Sequence, residues 1–220
     1  AKIALSLPSA TLWQMLSDVG FGTAPNTGFP GEVAGRLRPA KTWKPIEQAT
    51  MAYGHGISVN LVQLARAYSV FSSDGELKPV SLLKGSGGVG GRPVLKAETA
   101  RAVRHMLELA VGPGGTAPKA QVPGYRVAGK TGTAHKLEGR GYTNKYVSSF
   151  VGFAPASGPR LIVAVMIDEP SAGAHYGGVV AAPVFATVMG AALRTLGAPP
   201  DALGDNVILP PEGSAVREET

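Results

Sequence analysis

A chain of 220 residues with 44% hydrophobic and 16% charged side chains can bury a sizeable core, which excludes a disordered tail and a coiled coil. The net charge of +6 suits an anionic partner such as nucleic acid, anionic lipid or cell-wall polymer, and equally suits a solvated basic surface. Cys is absent, which removes thiol catalysis, disulfides and thiolate metal sites.

Lys2 to Leu7 reads as the inside of a helix whose start is missing, and the first residues have no signal-peptide pattern. Ser9 to Val19 reads as a helix with Ser9 as N-cap, the stripe Leu12, Met15, Leu16 and Val19, and Gly20 as the stop. Residues 22–45, rich in Gly and Pro, read as a long loop. Val59 to Phe71 is a second helix with Leu61, Leu64, Ala65 and Tyr68 inward, ended by Asp74-Gly75. Pro79 to Leu83 looks extended and runs into the turn Gly85-Ser86-Gly87-Gly88. Ala97 to Val111 is a third helix with Ala100, Val103, Met106, Leu107 and Ala110 on one face, followed by a Gly/Pro loop through Gly124.

The period then changes. Tyr125–Ala134, Tyr146–Ala154 and Leu161–Asp168 are short β-branched and aromatic runs. Their connections are too short for crossover helices, so the strands should pair antiparallel. The uncharged run Tyr176 to Leu193 has the length of a short membrane span, but Gly177, Gly178, Pro183 and Gly190 interrupt it. From Pro183 its bulky residues Val184, Phe185, Val188, Met189, Leu193 and Leu196 recur at helical spacing, as on a helix packed against a sheet. Residues 204–220 read as a polar C-terminal tail.

Two incompatible readings compete for Val127-Ala128-Gly129-Lys130-Thr131-Gly132-Thr133-Ala134. Gly124-x-x-x-x-Gly129-Lys130-Thr131 matches the phosphate-loop pattern of an NTPase, with Asp168 after an apolar run as the Mg²⁺-binding acid. That reading needs a buried strand before Gly124 and a helix opening at Lys130; Gln121-Val122-Pro123 and Gly132 supply neither. The other reading is a Lys-Thr-Gly-Thr strand beside an acyl-transfer site. Lys130 presents a fixed charge, Thr131 and Thr133 offer hydroxyls, and Gly132 lets a substrate backbone lie flat on the strand.

The flanks favour the second reading. Tyr53-Gly54-His55-Gly56, Leu61-Val62-Gln63-Leu64-Ala65-Arg66-Ala67-Tyr68 and Gly124 through Ala134 resemble, in order, the class B penicillin-binding proteins. So do Phe153-Ala154-Pro155, Val165-Met166-Ile167-Asp168-Glu169-Pro170 and Tyr176 through Phe185. The resemblance is closest to their division-specific Gram-negative branch and covers residues 1 to about 203. It implies a periplasmic serine D,D-transpeptidase, attached to the inner membrane by an anchor outside this chain. Such an enzyme cross-links peptidoglycan stem peptides ending in D-Ala-D-Ala and is acylated by β-lactams. It uses no cofactor and no metal, and its partners are division proteins rather than nucleic acid. The implied fold is the mixed α/β (α+β) serine β-lactamase/transpeptidase-like one, a mainly antiparallel sheet flanked by helices, with only its C-terminal portion present.

The family works with Ser-x-x-Lys, Ser-x-Asn and Lys-[Ser/Thr]-Gly. Lys130, Thr131, Gly132 and Thr133 match the third and are the candidate catalytic residues, with the Thr133 backbone N–H as one oxyanion donor. Lys130, Thr131, Thr133, His135, Tyr146, His175, Tyr176 and His55 are the candidate substrate- and lactam-binding residues. Ser81-Leu82-Leu83-Lys84 has the letters of the first motif on an extended stretch, where positions i and i+3 face opposite ways. Ser58-Val59-Asn60 has the letters of the second, in the wrong order along the chain, and Ser58 reads better as an N-cap. The nucleophile is therefore expected outside this chain, in the N-terminal part of the same protein. A binding module that keeps only the recognition strand is the alternative. The four His lack metal-ligand spacing, and no G-x-S-x-G elbow occurs.

Overall fold

In the computed structural model, which describes residues 1–83, 90–139 and 141–202, the chain divides into two units, Ala1–Lys96 and the residues from Ala97 onward. The first contains helices α1 (Lys2–Leu5), α2 (Ser9–Asp18), α3 (Pro45–Met51) and α4 (Leu61–Ser72) and the short antiparallel strands β1 (Glu76–Leu77) and β2 (Arg92–Pro93). Its core gathers Val19, Ala67, Val70 and Leu77, with Met15, Phe21, Val94 and Leu95 packed around them.

Two helix starts differ from the sequence expectation. Ser9 is already helical and Pro8 precedes it. Helix α4 is capped by Asn60 rather than Ser58: the Asn60 side chain accepts from the Gln63 N–H and Gln63 reaches back to the Asn60 N–H, a reciprocal capping box. The buried face of α4 is also rotated from the one expected. Leu61 is exposed, Gln63, Ala67 and Val70 are buried, and Leu64 and Tyr68 are half-buried. A glutamine occupies the inside because its amide donates to the Thr23 and Ala34 carbonyls, each at 2.8 Å, and so holds the Gly/Pro-rich loop without leaving buried groups unpaired. Burial holds the Tyr68 phenol well above its ordinary range, so it stays neutral. The loop ending in Asp74 and Gly75 uses positive φ at both residues, as expected of a helix stop. Helix α3 and the β1–β2 pair were not foreseen, and Gly85–Gly88 lie outside the described residues.

The second unit contains α5 (Ala97–Val111), the strands β3 (Ala128–Glu138), β4 (Gly141–Ala154) and β5 (Leu161–Asp168), and helices α6 (Gly177–Val180) and α7 (Ala182–Thr195). The three strands form one antiparallel sheet in the order β3-β4-β5, with Thr131 opposite Phe150 and Phe150 opposite Val165. The hairpin is longer than the sequence runs: β3 continues to Glu138 and β4 begins at Gly141, with a register shift between His135 and Leu137. Val122 and Tyr125 form an isolated bridge before β3 rather than its first residues.

Phe150, Phe185, Met189 and Leu193 are fully buried between sheet and α7, each worth about 1.5–3 kcal/mol of transfer free energy. Val184, Val188 and Leu196, expected in the same stripe, are 42%, 47% and 53% exposed. The inward arc of α7 is therefore the narrower i, i+4 row of Phe185, Met189 and Leu193. Met106 of α5 is likewise exposed, whereas Ala100 and Val111 are buried. The run Tyr176–Leu193 breaks between α6 and α7, and no helix among the described residues is long and apolar enough to cross a membrane. Mixed helices with a mainly antiparallel sheet match the expected fold class. Residues 203–220, which include the expected tail, lie outside the described residues.

Candidate functional site

β3 is an edge of the sheet formed by the described residues, and its Lys-Thr-Gly-Thr segment is held from both sides. Lys130 is exposed. Its ammonium donates to Thr131 Oγ1 at 3.0 Å, to Thr116 Oγ1 at 3.4 Å and to the Thr131 carbonyl at 3.5 Å. These partners are neutral oxygens, so they orient the charge without cancelling it. Thr131 Oγ1 lies 3.3 Å from Thr116 Oγ1. Thr133 Oγ1 accepts from the Gly177 N–H at 3.0 Å, which ties the strand to the start of α6.

That approach is closer than any side chain would permit. A Cβ on Gly177 would lie 2.3 Å from the Ser149 carbonyl oxygen and 2.7 Å from that of Gly132, and one on Gly178 would lie 2.2 Å from the Thr116 carbonyl oxygen. The glycine pair is thus what lets α6 lie on the strand. At Gly132 a Cβ would meet only the tip of a side chain, Ser149 Oγ at 2.6 Å, which a turn of that hydroxyl relieves, so the sheet itself does not demand glycine there.

Beside this segment runs a row of stacked rings. His135, two residues beyond Thr133 and on the same face of β3, is 4.4 Å from its cross-strand partner Tyr146. Tyr146 stacks on His175 at 3.8 Å and 13°, and His175 lies 4.4 Å from Tyr176. His135 Nδ1 sits 3.1 Å from the Thr143 carbonyl, which can only accept, so that nitrogen carries the hydrogen. Ser148 Oγ donates to the His175 carbonyl and fixes the segment leading into Gly177.

The fold therefore places Lys130, Thr131, Gly132, Thr133 and His135 on the edge strand β3, Tyr146 beside His135 on the neighbouring strand β4, and His175 and Tyr176 in the segment that leads into α6. His55 belongs to the first unit, where it packs edge-on against Tyr53 at 5.9 Å. Thr116 was not anticipated; its only sequence signal is the Gly114-Gly115 pair that turns the chain after α5.

The phosphate-loop alternative does not survive this geometry. Gly129, Lys130 and Thr131 lie within a strand and no helix opens at them. Asp168 instead pairs with Lys136 at 3.0 Å, in a chain of charges that includes Glu169, Lys145 and Glu138. The hydrogen bonds that the Lys136 ammonium donates to Glu169 and then to Asp168 hold it above its ordinary range. Ser81 lies outside any helix and exchanges hydrogen bonds with the Leu83 backbone, and Lys84 is outside the described residues. Ser58 forms an antiparallel bridge with Arg36, and the Asn60 amide is engaged as a cap and with the Val33 carbonyl. Among the described residues no group of three or more His, Cys, Asp or Glu side chains is arranged to hold a metal ion.

Residues 1–190 match the family described as the penicillin binding protein transpeptidase domain. The chain belongs to this family. Its fold is similar to the solved transpeptidase domain of Burkholderia pseudomallei penicillin-binding protein 3. That likeness has a TM-score of 0.86 and 52% identity, over 92% of this chain and 62% of that one. Among curated proteins it is 48% identical over 201 residues to the probable peptidoglycan D,D-transpeptidase PenA of Neisseria flavescens, covering 91% of this chain and 50% of that protein. It is 44% identical over 205 residues to the peptidoglycan D,D-transpeptidase FtsI of Escherichia coli, covering 92% of this chain and 35% of that protein. The chain thus spans half or less of the length of these curated relatives.

Proposed function

We propose that this chain supplies the Lys-Thr-Gly-Thr strand of a peptidoglycan D,D-transpeptidase whose nucleophilic Ser lies outside residues 1–220. The reading is carried by one observation: an exposed ammonium and two hydroxyls lie on one edge strand, with a row of packed rings beginning on that strand at His135 and continuing through Tyr146 and His175 to Tyr176. Lys130 and the Thr131 and Thr133 hydroxyls bind the terminal carboxylate of a stem peptide ending in D-Ala-D-Ala, or the equivalent carboxylate of a β-lactam. The Thr133 N–H donates to the oxyanion as the Ser oxygen adds to the penultimate D-Ala carbonyl. Terminal D-Ala then leaves, and the amine of a second stem peptide resolves the acyl-enzyme. The reaction takes place on the periplasmic face of the inner membrane, in company with division proteins.

The test is intact-mass spectrometry after incubation with benzylpenicillin. The 220-residue chain alone is expected to gain no mass. Activation needs a hydroxyl beside a base on one helical face, and Ser81 is not on a helix. The full-length protein is expected to gain one penicilloyl group on a Ser outside this chain. A stoichiometric adduct on Ser81 or Ser58 would overturn the assignment, and a full-length protein that stays unlabelled would favour the binding-module alternative.

Tyr146 and Tyr176 offer apolar ring area beside a polar strand, which suits the non-reacting part of a ligand. In the full-length protein, replacing either by Ala is expected to change acylation rates several-fold for lactams with bulky side chains and to spare the smallest. A uniform fall across a lactam series would assign these rings a structural role.

A further inference from the structure

Thr116 stands apart from every motif in the chain, yet its hydroxyl touches both polar side chains that open the Lys-Thr-Gly-Thr segment. It lies 3.4 Å from Lys130 Nζ and 3.3 Å from Thr131 Oγ1. We infer that Thr116 is a positioning residue for carboxylate recognition, one that holds the Lys130 ammonium and the Thr131 hydroxyl in the orientation that meets a ligand's carboxylate; the inference rests on the proposed function.

The position is built rather than incidental. The next residue, Ala117, is fully buried and its N–H donates to the Ala110 carbonyl at 3.0 Å, which anchors the loop to the end of α5. On the other side the Thr116 carbonyl is seated against Gly178, where a Cβ would come within 2.2 Å. With the backbone clamped between α5 and α6, the side chain has little room to leave Lys130 and Thr131.

The chemistry asks for a hydroxyl. Lys130 can only donate, and a carboxylate can only accept. A hydroxyl placed between them accepts from the ammonium through a lone pair and still has its own hydrogen to turn outward. Valine has the same shape and offers no lone pair, and aspartate would neutralise Lys130 and repel the incoming carboxylate. Both contacts are at the long end of hydrogen bonding, so the Thr131 hydroxyl, which donates to Thr116, can turn to a ligand at small cost. The long lysine side chain loses most by being left unheld, since its rotamer freedom is large.

The experiment compares benzylpenicillin with its methyl ester as acylating agents of the full-length protein, with Lys130→Ala as the reference variant. Thr116→Val is expected to lower the rate with the free acid about tenfold and to leave the slower rate with the ester within about twofold, so that the acid-to-ester preference falls. Thr116→Ser, which keeps the hydroxyl, is expected to restore the preference. An equal fall with both compounds, or failure of Ser to restore, would assign Thr116 a purely structural role and overturn the inference. If Thr116→Val spares the preference while Lys130→Ala collapses it, the claim for Thr116 falls alone. If both variants spare it, carboxylate recognition by this strand falls as well.

Discussion

Replacing Lys130 by Ala in the full-length protein is expected to slow acylation by benzylpenicillin about 10- to 100-fold while leaving the unfolding midpoint nearly unchanged. The two effects separate because of where the charge sits. Its ammonium is exposed and its partners, Thr131 and Thr116, are neutral oxygens, so its removal leaves no buried charge unpaired. Surface changes of that kind usually alter stability by about 0.5 kcal/mol or less. A hydrogen bond from a charged group to a carboxylate is worth about 1.5–3 kcal/mol. Lost in the transition state, that energy gives the stated fall in rate. Acylation kinetics and a urea titration on the same two proteins decide it. Equal acylation rates would remove Lys130 from the site, and a stability loss of several kcal/mol would make it a structural residue.

Much of the second unit was legible in the sequence because its signals are local. Val147, Phe150, Val151 and Phe153 lie in a β-branched and aromatic run that reads as a strand, the short links demand antiparallel pairing, and α5 was placed at its observed bounds. What failed was the width of helix faces. Counting every bulky residue into a stripe put Leu61, Met106, Val184 and Val188 inside, whereas they are exposed. Burial is decided by which residue points at the sheet, and small side chains such as Ala182 do that as well as large ones. Gln63 shows the same limit from the other side: its burial answers the Thr23 and Ala34 carbonyls, which only tertiary structure brings to it. Asn60 could have been found, since Asn three residues before Gln is a capping-box pattern. In the site, the Lys130–Thr133 segment was legible by motif. Thr116 was not, because a hydroxyl that serves another side chain leaves no pattern of its own in one sequence.

Phe150→Ala is expected to cost about 3–5 kcal/mol of the second unit's stability, the range for removing a fully buried aromatic ring. The ring has no exposure and meets Phe185 at 4.6 Å in an edge-to-face contact. It also fills the space that Gly129 leaves open, since a Cβ on Gly129 would lie 2.5 Å from the ring tip. Phe150 pairs with Thr131 across the ladder, so the cavity would open beneath the residues that lead into Lys130 and Thr131. Collapse there requires β3 to shift as a strand, which its ladder with β4 resists, so relaxation should recover little of the lost contact energy. Both Trp residues, Trp13 and Trp43, belong to the first unit, so tryptophan fluorescence is the wrong probe. Amide hydrogen exchange along β3, β4 and β5 reads the sheet directly. Protection of these amides should fall by the stated free energy, with Phe150→Leu losing much less because it keeps most of the apolar volume. A loss below about 1 kcal/mol for the Ala variant would mean that the ring is not what supports β3.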